Sequence, residues 1–468
     1  MIFLFAQGLA NVNGAVNGFV WGPIMCTVFV CVGIYICIRT HFFQVGHFKL
    51  WWHDTFASIF RDKGVRTTSD AKSVSQFQAL TTALAATIGT GNIVGVATAI
   101  MSGGPGAVFW MWISAFFGMM TKYAEIALAM KYREKDANGD WLGGPMVSIK
   151  KGMGIGWLGG LFAIFTVLAS FGIGSGVQAN SVASSLNSTF GVPMVVTGIC
   201  LAIVTALVII GGLKRIAGVT EKIVPFMAIL YIVGGIVLII MNHGGLPDAF
   251  GQIFAGAFRV RAIGGGVLGY AMSQAMRYGV ARGVFSNEAG LGSSALVHSA
   301  SDQKEPARQA MWGCFEVFAD TIIVCSITAL AILSSGIYKV TENKGAALTI
   351  EAFHNGFGAG AGIFVSIAIV LFALSTIIGW SYYGERCFNF LAGTGKSIIY
   401  KCIFIFTVIL GCVASVDLIW DISDTLNGLM AIPNIIGLLV MAGTVAKITF
   451  DYVKRREKKD LANEPEDA

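Results

Sequence analysis

Two stretches of this chain set small, flexible residues beside polar ones deep inside apolar runs. The first reads Thr87-Ile88-Gly89-Thr90-Gly91-Asn92. Glycine is a poor helix former and tolerates unusual dihedrals, so a helix is readily interrupted at Gly89 and Gly91. An interruption frees amide N–H groups and starts a new half-helix whose positive dipole end faces the gap, an arrangement suited to a carboxylate. The carbonyls freed from the preceding half, around Ala85 and Ile88, suit a small hard cation. The alternative is that the glycines simply let helices pack closely. The second stretch reads Gly279-Val280-Ala281-Arg282-Gly283-Val284-Phe285-Ser286-Asn287-Glu288-Ala289-Gly290-Leu291-Gly292. It is too polar for a straight lipid-facing helix. Arg277, Arg282 and Glu288 fall in the same run, and ionisable groups inside an apolar span are candidate functional groups.

Other positions could support such a site. Phe171, Ser175 and Gln178 stand four and three apart, so a regular helix puts them on one face. An amide at that depth needs partners: Gln178 either donates to a ligand carboxylate or bonds to a neighbouring helix. Ser375 and Thr376 carry hydroxyls that ligate Na⁺ well when joined by backbone carbonyls, or else bond back to their own helix. Trp380, one turn after Thr376, either caps a pocket or packs. Glu288 reads as an inner gate ion pair, as a protonatable coupling group or as a structural partner of Arg282, with the gate preferred. Lys122 and Glu125, three apart, read as a local ion pair. Glu316 and Asp320 lie one helical turn apart. All six histidines fall in loops or near span ends, against a histidine proton relay. The nine cysteines show no metal-ligand spacing.

The elements that must hold these residues are apolar. The 468 residues are 55% hydrophobic and 12% charged, about half the charge of an ordinary soluble protein. That excludes a secreted disulfide scaffold, a disordered chain and a cytosolic enzyme. The net charge of +6 invites a nucleic-acid partner, but the charges lie between apolar runs rather than on one basic face. A bilayer core needs about 20 apolar residues per helix. Eleven spans result, near 19–38, 76–101, 107–130, 157–189, 193–212, 223–242, 264–297, 310–335, 361–386, 401–416 and 424–446. With the N-terminus outside and the C-terminus cytoplasmic, the inner connections hold 25 Lys and Arg and the outer ones four, as the positive-inside rule requires. The first 38 residues carry no charge, so the basic region of a secretory signal is missing. Residues 41–61, with Phe48, Trp52, Phe56 and Ile59 at helical spacing, read as an amphipathic helix at the inner interface or one packed under the bundle. Residues 454–468 read as a charged, disordered tail. No loop looks large enough to fold alone.

The two polar stretches open successive sets of five spans. Paired broken helices at corresponding places in two halves mark secondary transporters with inverted repeats. The expected organisation is an N-terminal helix with the interfacial segment over 1–75, a first five-helix repeat over 76–242, a second over 243–450 and a tail over 451–468. The fold class is an all-α integral membrane protein of eleven helices, one plus an inverted 5+5 repeat.

Three motifs also carry a family resemblance. Gly103-Gly104-Pro105-Gly106-Ala107-Val108-Phe109-Trp110-Met111-Trp112, Phe285-Ser286-Asn287-Glu288-Ala289-Gly290-Leu291-Gly292 and Val177-Gln178-Ala179-Asn180 are similar to signatures of the alanine/glycine:cation symporters, over about residues 18–450. The Ile88–Asn92 stretch resembles the broken first core helix of the leucine-transporter class. The resemblance implies an eleven-helix fold and Na⁺-coupled uptake of L-alanine and glycine, in some members D-alanine, across a bacterial or archaeal plasma membrane. By matching position it implies that Thr90, Gly91, Asn92 and Gln178 hold the amino acid, with Phe171 on the Gln178 face. Ala85 and Ile88 carbonyls with Ser375 and Thr376 hydroxyls would form a Na⁺ site. Met276, Gly279 and Trp380 would limit pocket size. Arg282 and Glu288 remain gate or coupling candidates on the reading of the residues alone. Ser175 stands where many members carry Asn. Na⁺ is then the coupling ion and no cofactor is needed. The rivals are a proton-coupled symporter using Glu288 or Glu125, a channel lined by the two breaks, and a membrane-embedded enzyme. The last lacks any visible nucleophile–base or metal cluster. The sequence leaves oligomeric state, stoichiometry and alanine/glycine preference open.

Overall fold

The computed structural model describes residues 2–258, 268–343, 345–413 and 416–462. Nearly all of it is helix. A first helix, Ile2–Val20, turns through Trp21 and Gly22 into Pro23–Arg39. The first broken span follows as Gln76–Thr87, a 3-10 turn at Thr90–Asn92 and Val94–Gly103, with a 57° bend between its halves. Its start is encoded locally: Ser75 and Gln78 form a capping box, each side chain accepting from the other's backbone N–H. Gly106–Tyr132 comes next, then a two-strand hairpin pairing Glu134–Lys135 with Trp141–Leu142.

Gly156–Phe171 and Val177–Phe190 form one span joined by a π-turn over Gly172–Gly176. Met194–Ile209 and Gly212–Met241 complete the first half. The second half opens with Leu268–Asn287, which breaks at Glu288 and resumes as the short helix Ala295–His298. Pro306–Ser335 carries a π-turn at Phe318–Cys325. Gly360–Ala392, Ser397–Val413 and Val416–Ala462 close the chain.

Each stretch expected as a span is helical over most of its described length. Among the described residues, length and apolarity alone qualify seven helices as membrane crossings, or eight with the bent pair taken as one. Met194–Ile209 is apolar but short, Gly106–Tyr132 carries Lys122 and Glu125, and Leu268–Asn287 carries Arg277 and Arg282. The number eleven therefore rests on charge alternation rather than on apolar length.

Several local expectations change. Leu246–Phe258 and Gly345–Phe357 are helices within two of the connections between spans. The last helix continues to Ala462, so residues 454–462 are helical rather than disordered; residues 463–468 lie outside the described residues. Arg456 reaches Asp54 at 3.2 Å and Arg455 pairs with Glu305 at 2.6 Å. The 41–61 segment is a chain of short helices whose inner side buries Trp51, Asp54, Thr55 and Ser58. Phe48, Phe56 and Phe60 on its other side are exposed. It is thus both packed under the bundle and aromatic on its free side.

Candidate functional site

Asn92 organises the first break. Its Oδ1 accepts from the Gly89 amide at 2.9 Å, closing the turn, and its Nδ2 donates to Asp320 Oδ1 at 2.7 Å. Asp320 sits in the π-turn of the Pro306–Ser335 span and also accepts from Ser286 at 3.1 Å and Thr321 at 2.7 Å. One buried carboxylate thereby ties the first break to the residues just before the second. Such a group is tolerable in the interior because donors surround it.

The second break is built by a run of left-handed backbone. Glu288 has φ 57°, Gly290 φ 100° and Gly292 φ 78°. Glycine carries the two most extreme of these without strain. Glu125 holds the loop by accepting from the Gly290 and Gly292 amides at 2.8 and 3.1 Å and from Asn434 at 2.7 Å. Lys122 donates to the Asn287 carbonyl at 2.6 Å and pairs with Glu316 at 2.7 Å. The expected Lys122–Glu125 pair is therefore replaced: each side chain serves the break separately. Glu316 also meets His298 at 3.3 Å.

The two breaks face a compact cavity of about 10 Å³, room for about one water. Its wall includes Gly89, Gly91, Ile173, Gln178, Phe285, Glu288, Thr376 and Trp380. A Cβ on Gly89 would stand 2.4 Å from Thr376 Oγ1 and 3.6 Å from Gln178 Oε1, and one on Gly91 would stand 3.3 Å from the Phe285 ring. Glycine is needed at Gly89 for space, since its φ of −136° is open to any residue. Thr376 donates to the Ala85 carbonyl at 3.0 Å. Trp380 approaches closely because Gly174 lacks a side chain; a Cβ there would lie 2.5 Å from that of Trp380.

The site residues expected from sequence divide accordingly. Gly91, Gln178, Trp380, Thr376 and Glu288 meet at the cavity, with Ala85 joined through Thr376. Thr90 is buried within the turn, its hydroxyl unpartnered. Ile88 ends the first half-helix with ψ 89°, turning its carbonyl out of the helical ladder. Asn92 supports the turn from behind instead of lining the cavity. Ser375 bonds back to the Phe372 carbonyl at 2.8 Å, because consecutive residues on a helix do not share a face.

Phe171 stacks on Tyr400 with ring centroids 5.4 Å apart, and Ser175 bonds Thr407 at 2.8 Å. The π-turn inserts a residue between Phe171 and Gln178 and rotates the two apart. Met276 and Gly279 lie inside an unbroken helix, away from the cavity. A Cβ on Gly279 would stand 2.3 Å from the Ala107 carbonyl, so that glycine serves helix packing. The second break falls at Glu288, more than two turns later. Phe285 and Ile173 complete the wall, and Asp320 supports it from behind; residue type alone assigns none of the three a role, because each is apolar or spaced without a visible partner.

Both approaches to the cavity are closed. On one side Arg282 pairs with Asp424 at 2.8 Å and lies 5.3 Å over the Phe285 ring. Arg282 thus partners Asp424, not Glu288. Beyond this pair opens a cavity of about 570 Å³ edged by Ser181, Ser184 and Ser188. On the opposite side the ends of the two broken spans join in a parallel bridge, Val74 with Ser301, through bonds of 3.1 and 2.9 Å. Arg133 donates to the carbonyls of Ser299, Ser301 and Gln303 at 2.9, 2.6 and 2.6 Å. Trp141 covers Arg133 at 4.2 Å and donates to Ser73 at 3.1 Å. Lys72–Asp140 and Arg386–Asp136 pairs, at 3.3 and 3.4 Å, fasten the hairpin further.

A central cavity between two interrupted spans, shut separately towards each face, defines a multi-pass secondary transporter. The arrangement agrees with the fold of MhsT solved with L-phenylalanine, which aligns with a TM-score of 0.54 at 15% identity over 82% of this chain and 99% of that one. The sequence matches the sodium:alanine symporter family over residues 6–466. It is 48% identical over 454 residues to the sodium/alanine symporter AgcS of Methanococcus maripaludis, covering 95% of this chain and 98% of that protein. It is 36% identical over 458 residues to the amino-acid carrier protein AlsT of Bacillus subtilis, covering 97% and 94%. The chain belongs to the sodium:alanine symporter family. It is a sodium-coupled amino-acid symporter and not an enzyme.

Proposed function

We propose that the chain imports alanine and glycine, L-alanine first and D-alanine as a secondary substrate, by alternating access across a prokaryotic plasma membrane. The N-terminus faces outward and the C-terminus the cytoplasm. Na⁺ drives the cycle and no cofactor takes part. The observation that carries this reading is the cavity itself: glycines, Thr376 and Gln178 at a helix break, walled by Phe285 and Trp380. The substrate carboxylate lies against the Thr90 and Gly91 turn, at the positive end of Val94–Gly103. Na⁺ takes the Ala85 and Ile88 carbonyls and the Thr376 hydroxyl. Even alanine requires the walls to separate, so binding is coupled to gate movement, and longer side chains meet Trp380 and Phe285. The 48% identity to a sodium/alanine symporter supports the same substrate. The halves 76–242 and 243–450 then move against each other, opening the Arg282–Asp424 side and the hairpin side in turn.

Radiolabelled alanine uptake into proteoliposomes tests this. Uptake that follows an inward Na⁺ gradient, and falls with unlabelled glycine but not leucine, is expected. Equal uptake without Na⁺ under a proton gradient would replace Na⁺ by H⁺ as the coupling ion.

A further inference from the structure

Gln178 carries a signal that its expected role does not explain. Its Nε2 donates to the Ile173 carbonyl at 3.1 Å, so the amide's donor side is occupied. Its Oε1, on a side chain 2% exposed, has no partner and points at the first break, 3.6 Å from where a Cβ on Gly89 would stand. A buried acceptor left bare in this way is costly unless a donor arrives. Glu288 also lines the cavity. Its carboxylate accepts from Ser293 at 2.5 Å, which fixes it in place. Its backbone lies in the left-handed region, φ 57°, a conformation that a non-glycine residue holds only when its surroundings impose it. Two side-chain acceptors, an amide oxygen and a carboxyl group, therefore border a space whose opposite edge is the amide-rich turn at Gly89–Gly91.

We propose that Glu288 and the Gln178 Oε1 oxygen form the subsite for the substrate's α-ammonium group, with Glu288 the residue that makes a positive nitrogen obligatory. This rests on the small-amino-acid reading above and deepens it. It reverses the expected part of Gln178, from donor to the carboxylate to acceptor from the ammonium. It also gives Glu288 a role other than a gate ion pair, the partner for which, Arg282, is engaged by Asp424. A carboxylate is matched to an ammonium in charge and in hydrogen-bonding sense, since the one only accepts and the other only donates. Acids of the same size without the nitrogen, such as propionate, leave the Gln178 oxygen bare and bring a second carboxylate to Glu288 with no ammonium to match it, and are rejected. Gates select by size, and do not discriminate alanine from propionate.

The test is equilibrium binding of radiolabelled alanine to the purified full chain in Na⁺, with unlabelled alanine and propionate as competitors. In the native protein propionate should compete at least about 100-fold less well than alanine, the scale of losing charge-assisted bonds to two buried acceptors. Glu288→Gln keeps the shape and removes the charge. It should weaken alanine by about tenfold or more while leaving propionate unchanged or improved, so that the preference narrows. Gln178→Leu should narrow the same ratio to a smaller extent, and Glu288→Asp should retain most of it. Propionate competing as well as alanine in the native protein would overturn the subsite, and would do so whether or not any variant folds. So would a Glu288→Gln protein that loses alanine and propionate in equal proportion, the result of a gate or a scaffold. Native protein that binds no alanine at all would overturn the substrate reading beneath it.

Discussion

At the scale of single residues, the chemistry depends on which side of each polar group is already occupied. Asn92 is the clearest case. Its type and place beside two glycines mark it as important, yet both ends of its side chain are used on Gly89 and Asp320, so it shapes the turn without touching the cavity. Asn92→Ala leaves the Asp320 carboxylate and a backbone amide each short of a partner. The expected loss is about 3 kcal/mol of stability, read as a lower melting temperature in detergent, together with loss of alanine uptake. Unchanged stability and uptake would refute the pivot. Trp380 is the converse case, a packed ring that is also cavity wall. Trp380→Ala should lower stability by about 3–5 kcal/mol and let larger amino acids such as leucine compete for uptake; selectivity that stays as in the native chain would remove Trp380 from the wall. Residue type pointed to both positions, and to Thr376 and Gln178. It did not separate Thr376 from Ser375, whose orientations differ by the turn of the helix, nor detect the π-turn that swings Phe171 away from Gln178.

At the scale of elements, glycine has two uses that look alike in sequence. Gly279 and Gly283 let Leu268–Asn287 press against Gly106–Tyr132, where added Cβ atoms would meet Ala107 and Ser114 within 2.7 Å. Gly290 and Gly292 instead supply left-handed backbone. Both pairs lie in one glycine-rich run, so the run announced a break, while its position was decided by tertiary neighbours, chiefly Glu125 and Lys122. The hairpin was legible in principle: Asn138-Gly139, with Gly139 at φ 79°, is a tight-turn signal. Its function was not, because Arg133 finds its carbonyl partners 166 to 170 residues away. The hairpin acts as the latch on its face of the molecule. Removing its main donor with Arg133→Ala should loosen the Val74–Ser301 bridge. In a background lacking the exposed thiols Cys31, Cys200 and Cys402, a cysteine placed by Ser73→Cys should then react with a soluble maleimide several-fold faster than with Arg133 intact. Equal rates would mean that the hairpin does not hold that side shut.

At the scale of the whole molecule, the apolar runs and the charge asymmetry made the membrane architecture readable, and the pairing of two broken spans made a transporter readable. Less visible was how the breaks are joined. Asp320 and Glu316 come from one span and Lys122 from another far from it in sequence, and only the folded bundle brings them to Asn92, Ser286 and Asn287. This shared polar core explains how one small ligand can influence both faces, since neither break can shift without disturbing bonds to the other. Carrying one Na⁺ with a zwitterion moves one net charge inward, worth about 2.3 kcal/mol at 100 mV, or roughly 50-fold accumulation. Imposing an inside-negative potential on proteoliposomes with equal Na⁺ on both sides should therefore drive alanine inward, whereas no response to potential would exclude net charge movement. The most direct test of the central claim, that a loosened main chain grips an amino acid beside an alkali ion, is calorimetric titration of alanine into the purified protein with Na⁺ or with choline, in the native chain and in Thr376→Ala. Binding in Na⁺, none in choline, and loss of the Na⁺-dependent binding when the Thr376 hydroxyl is removed are expected. Alanine binding of equal strength in choline, or in Na⁺ without that hydroxyl, would contradict that claim.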